Sequence, residues 1–127
     1  MLLHRLYLQN NMIKEAVYAK YKNAKISPKK VAPVMDMVRG KSVEQAKVLL
    51  AFDTTKAAVM ILKALRSAIA NAKNNRNLKP ENLYVTDLRV DGASFRKSGQ
   101  FVSRGRFNPI LKRYSHITVG LTERAGK

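Results

Sequence analysis

Residues 92–116 read GASFRKSGQFVSRGRFNPILKRYSH. The stretch carries Arg96, Lys97, Arg104, Arg106, Lys112 and Arg113, ends on His116, and contains no acid. Ser98, Gly99, Ser103 and Gly105 stud its middle, and no continuous apolar face runs through it. Such a segment cannot fold onto a core by itself, because it has too little apolar surface to offset the entropy of ordering it. Held out as an arm, it meets polyphosphate with its cations and bases with Phe95, Phe101 and Phe107. It predicts a folded body carrying a basic extension directed at nucleic acid.

The flanks of this stretch supply the body. From Leu83 the hydrophobic period becomes two: Tyr84, Thr86, Leu88 and Val90 alternate with Val85, Asp87, Arg89 and Asp91. A mirror strand spans Ile110–Leu121, with Ile117, Val119 and Leu121 on one face. Adjacent strands pair most simply as antiparallel neighbours, so the basic segment becomes the far part of a long hairpin. Its turn is predicted at Ser98-Gly99-Gln100. Upstream, residues 14–24 (KEAVYAKYKNA) predict a short strand at the sheet edge.

Three helices lie between. Ser27-Pro28 opens the first, with serine as side-chain cap and proline at the first helical position. Val31, Val34, Met35 and Val38 form its stripe, and Gly40 is its predicted stop through a left-handed conformation. Pro33 removes one helical hydrogen bond inside it. Ser42-Val43-Glu44-Gln45 has the pattern of a capping box and begins a second helix to about Ala51. The third runs from Thr55 to about Lys73, with Ala57, Ile61, Ala64, Leu65, Ala68, Ile69 and Ala72 on one face. The fold class predicted is α+β: three helices on a small, about three-stranded antiparallel sheet with a long extended β-hairpin. Residues 1–13 are expected as an N-terminal extension, 14–122 as one domain with the hairpin at about 90–113, and 123–127 as a tail.

Composition limits the functions open to this body. The chain has 127 residues, 46% of them hydrophobic, enough to bury a core. Its formal net charge is +17, and self-repulsion on that scale calls for an anionic partner. There is no cysteine, which excludes disulfides and thiolate metal sites. The longest apolar run, Ala57–Leu62, is far too short to span a membrane, and the opening MLLHRLYLQNN is too short and too interrupted for a signal peptide. The only histidines are His4 and His116, neither near an acidic cluster, so hydrolytic or metal chemistry has little to build on. Gly40-Lys41-Ser42 resembles the end of a phosphate loop, but Met35 stands where that loop needs a glycine. No catalytic residue, cofactor or metal site is predicted.

A second acid-free block strengthens the nucleic-acid reading. Lys20, Lys22, Lys25, Lys29 and Lys30 lie between Glu15 and Asp36 with no acid among them. A lone charge run is usually a solvated face, but two such blocks favour phosphate binding. At this level an architectural DNA-binding protein with basic β-arms remains an alternative, as does an RNA-modifying enzyme, although no catalytic group supports the latter.

Three ordered motifs carry a resemblance. Ser27-Pro28-Lys29-Lys30-Val31 leads to Val38-Arg39-Gly40-Lys41; then comes Leu65-Arg66-Ser67-Ala68-Ile69-Ala70-Asn71-Ala72; then Arg104-Gly105-Arg106 leads to Ile110-Leu111-Lys112-Arg113-Tyr114-Ser115-His116-Ile117-Thr118-Val119. In this order and spacing the chain resembles the universal large-subunit ribosomal protein L-twenty-two family from about Glu15 to Thr122. The resemblance implies a structural, non-catalytic protein on large-subunit ribosomal RNA, in a cytoplasmic or organellar ribosome. It also implies that the hairpin reaches the wall of the nascent-peptide exit tunnel beside ribosomal protein L-four. By motif, Ser27, Lys29, Lys30, Arg39, Lys41, Arg104, Arg106, Lys112, Arg113 and His116 would face RNA. Arg96, Lys97, Ser98, Gly99, Gln100, Phe101, Val102 and Ser103 would form the tunnel-facing tip. Phe101-Val102-Ser103 and Phe107 depart from the residues usual for the family there.

Overall fold

Each of the three helices begins at a local start signal. The computed structural model describes residues 17–123; the expectations for 1–13, for the first residues of the edge strand and for 124–127 lie outside that range. Helix α1, Pro28–Val38, has proline in its first turn and buries Val31, Val34, Met35 and Val38. Ser27 differs from expectation, because its side chain makes no capping bond. The Lys30 N–H, the usual target of a cap hydroxyl, instead donates to the Ser27 carbonyl at 3.1 Å. Helix α1 runs through Pro33 and stops at Arg39, whose backbone is extended. Gly40, the next residue, takes the predicted left-handed conformation at φ 82°. It turns the chain so that its N–H donates to the Val85 carbonyl at 2.8 Å and the Lys41 carbonyl accepts from the Val85 N–H at 2.9 Å.

Helix α2, Val43–Phe52, follows Ser42, whose hydroxyl accepts from the Gln45 N–H at 3.4 Å. Helix α3, Lys56–Arg76, is capped by the Thr55 hydroxyl, which accepts from the Ala58 N–H at 3.3 Å. It outruns its predicted end at Lys73 and stops where Asn77 adopts φ 54°. The whole predicted stripe of α3 is buried, with Ala58 added to it.

Strands β1 (Val17–Ala24), β2 (Leu83–Gly92) and β5 (Ser115–Glu123) form a sheet of order β1-β5-β2, antiparallel throughout. The predicted single strand over 110–121 is in fact two. Strand β4, Phe107–Lys112, belongs to the arm, and Arg113-Tyr114 separates it from β5. Glu123 closes β5 instead of opening a tail.

The alternation expected in β2 is also corrected. Leu83, Val85 and Leu88 are the buried residues, because the register slips between Val85 and Asp87 opposite Leu121 and Gly120. Thr86 is the extra residue of this bulge, and one extra residue exchanges the two faces of a strand. Gly120 makes the close approach possible. A Cβ there would lie 2.7 Å from Tyr18 Cε1 and 2.9 Å from Asp87 Cβ.

The helices cover one face of the sheet. Helix α3 packs on β1 and β5, and α1 packs on β2. Met35, Ile61, Leu65, Leu83, Ile117 and Leu121 are fully enclosed. Each such side chain contributes about 1.5–3 kcal/mol by leaving water. The other face and the arm are free of this duty.

Candidate nucleic-acid interface

The arm leaves the body where β2 ends and β5 begins. The Ala93 N–H donates to the Tyr114 carbonyl at 2.9 Å and closes its base. Beyond that bond, β3 (Arg96–Phe101) pairs with β4 from Arg96↔Lys112 out to Phe101↔Phe107. The turn lies not at Ser98-Gly99-Gln100 but at a 3-10 turn over Ser103–Gly105, with Arg104 at φ 59° and Gly105 at φ 70°. The Val102 N–H donates to the Arg106 carbonyl across it at 2.8 Å. Of the residues expected at the tip, Arg96 and Lys97 therefore sit at the root, Ser98, Gly99, Gln100 and Phe101 along the shaft, Val102 beside the turn and only Ser103 within it.

Gly99 misled the sequence reading because its missing side chain serves a ring, not a turn. A Cβ on Gly99 would fall 1.8 Å from Phe107 Cζ. The Phe107 ring lies across that gap and meets Phe101 edge-on, with centroids 5.8 Å apart at 72°. Phe101 is 78% exposed and Phe107 61% exposed, so the pair is an outward aromatic cluster at the far end and no satellite of the core. Arg104 and Arg106 flank it on exposed backbone.

The two basic blocks converge at the arm's root. A cleft of about 560 Å³ is lined by Lys25, Ile26, Ser27 and Lys30 from the β1–α1 connection, Lys56 from α3, and Ile110, Leu111, Lys112, Arg113 and Tyr114 from the returning strand. It holds no acid. Lys56 has no basic sequence context to mark it, yet its Nζ donates to the Lys25 carbonyl at 2.8 Å and fastens the start of α3 to the first block. Neither α1 nor α3 has an acid in its first turn, and lysines stand there instead. Cations at helix N-termini oppose the helix dipole by roughly 0.3–1 kcal/mol each, a cost that a bound anion relieves.

The remaining predicted contacts are dispersed. Lys20, Lys22 and Lys29 are exposed on or beside the edge strand and α1. Arg39 is engaged within the protein, bonding Asp36 Oδ1 at 2.6 Å and the Leu88 carbonyl at 2.8 Å, so it fastens the end of α1 to β2. Lys41 is exposed in the adjoining turn. His116 Nδ1 accepts from the Asn23 N–H at 3.0 Å, where β1 slips register and Asn23 adopts φ 57°. The imidazole therefore holds the edge-strand irregularity that leads into Lys25.

Among the described residues no His, Asp and Glu side chains gather as a metal site, and no helix is long and apolar enough to cross a membrane. A family model described as ribosomal protein L22p/L17e matches residues 19–122. Among curated proteins, the large ribosomal subunit protein uL22 of Clostridium beijerinckii is 45% identical over 107 residues, which span 84% of this chain and 95% of that relative.

Proposed function

Because the chain belongs to the ribosomal protein L22p/L17e family, we propose that it is a structural constituent of the large ribosomal subunit. In this role it binds large-subunit ribosomal RNA and supports assembly without catalysing a reaction. The observation that carries the reading is the cleft at the arm's root, where Lys25, Lys30, Lys56, Lys112 and Arg113 meet with no acid. That arrangement suits several phosphates of a folded RNA held at once. The arm then extends to the wall of the nascent-peptide exit tunnel, beside ribosomal protein L-four, and presents Phe101, Phe107, Arg104 and Arg106 to RNA and nascent peptide.

The architectural DNA-binding alternative is less well supported. Histone-like proteins that wedge DNA with a β-arm carry a proline at its tip to unstack a base step. Here the proline of the arm, Pro109, pairs with Gly99 along the shaft. The test is sedimentation of tagged protein with ribosomal particles through a high-salt gradient, alongside binding to duplex DNA and to large-subunit RNA fragments. Cosedimentation with large subunits and preference for the RNA are expected. Preference for duplex DNA, or migration away from the large subunit, would refute the assignment.

A further inference from the structure

The cleft at the arm's root has a mixed lining that simple phosphate binding does not require. Ile26 is buried, Ile110 and Tyr114 are half-buried, and Leu111 is 40% exposed, so a carbon surface lies among the cations. Its volume of about 560 Å³ falls within the roughly 300–1,000 Å³ usual for small-molecule pockets. Double-stranded RNA does not fill such a hollow. Its phosphates lie on a convex surface, and its bases are stacked inside. An unstacked nucleotide of a single-stranded loop or bulge has the right chemistry: a flat apolar base, and phosphates on both sides of it. Resting on the RNA-binding role proposed above, we infer that this cleft is a pocket for one extruded nucleotide of single-stranded RNA. Tyr114 and Leu111 receive the base, while Lys30, Lys56 and Arg113 neutralise the flanking phosphates.

The pocket is bound to the arm's geometry. Tyr114 both lines it and, through its carbonyl, closes the arm's base on Ala93. Leu111 lies in β4 opposite Lys97. A nucleotide seated there contacts the strand that aims the arm as well as the starts of α1 and α3.

The test is fluorescence anisotropy with the full chain and two labelled probes, a single-stranded hexauridylate and a blunt 16-base-pair RNA duplex. Tyr114→Ala removes the aromatic face that receives the base, so it should weaken hexauridylate binding about tenfold. Duplex binding, carried by cations elsewhere, should change less than about twofold. Leu111→Trp provides a second variant at an exposed position. It should obstruct the pocket, with a similar selective loss for hexauridylate and less than about twofold change for the duplex. Equal losses for both probes, or no loss for either variant with duplex binding intact, would overturn the pocket and leave the ribosomal reading standing. Failure of the unaltered chain to bind either RNA would overturn both.

Discussion

At the level of single residues, two positions separate folding from function. Gly40 sits at φ 82° with open space where a Cβ would go, so substitution there incurs backbone strain alone. Gly40→Ala should lower unfolding free energy by about 1–2 kcal/mol, whereas Gly40→Asn should cost less because asparagine tolerates the left-handed region. Equal losses in chemical denaturation would mean that contacts, not φ, govern the site. Ser115 is the converse case. It is fully buried, and its hydroxyl finds no hydrogen-bond partner. Removing an unsatisfied buried hydroxyl lifts a penalty of about 1–3 kcal/mol, offset by a small void, so Ser115→Ala should leave thermal stability unchanged or raise it. A clear drop in melting temperature would show that the hydroxyl is satisfied. The left-handed turn at Gly40 was legible in the sequence as a helix stop, but its pairing with Val85, far along the chain, was not, and Ser115 reads as an ordinary strand residue.

Elements were legible to the extent that their signals are local. Ser42, Thr55 and the three- and four-residue apolar spacings identify the helices because caps and stripes act within a few residues. The sheet escaped in part, since its phase is decided by partners. Nothing in Leu83–Gly92 reveals that Thr86 bulges opposite Gly120, and nothing in 110–121 reveals that one strand leaves for the arm and another stays. The true turn was hidden because Arg104, not a glycine, takes its first left-handed position. The cleft could not be read at all, because it joins residues 25–30, 56 and 110–114. The arm itself is a two-stranded ribbon, an element that has little stability alone and adds nothing to the core. Replacing residues 99–109 by an Asn-Gly turn, which keeps Ile110, Leu111 and Lys112 of the cleft, should therefore change the body's unfolding free energy by less than about 1 kcal/mol. Subunits carrying this variant should show altered macrolide sensitivity and altered stalling by arrest peptides. Wild-type drug response and stalling at full occupancy would remove the arm from the tunnel.

For the molecule as a whole, the basic residues of 17–123 are divided between a compact body and a projecting ribbon, so both should contribute to RNA binding. Each neutralised phosphate on a single strand lowers the log–log salt slope by about 0.7, and five to eight contacts predict a slope of about −4 to −6. A slope near zero in a salt titration would defeat the electrostatic basis of the interface. The strand order β1-β5-β2 has a further consequence, which concerns time. Both outer strands pair only with β5, the last element of the described fold to be synthesised. At elongation rates of about 5–20 residues per second, β1 must wait on the order of ten seconds for its partner to emerge. Until then the helices have no sheet to cover, and a newly made polycation stands open among polyanions. A chain halted just short of residue 115 would keep its helix signals and both basic blocks nearly whole, yet have no sheet to fold on.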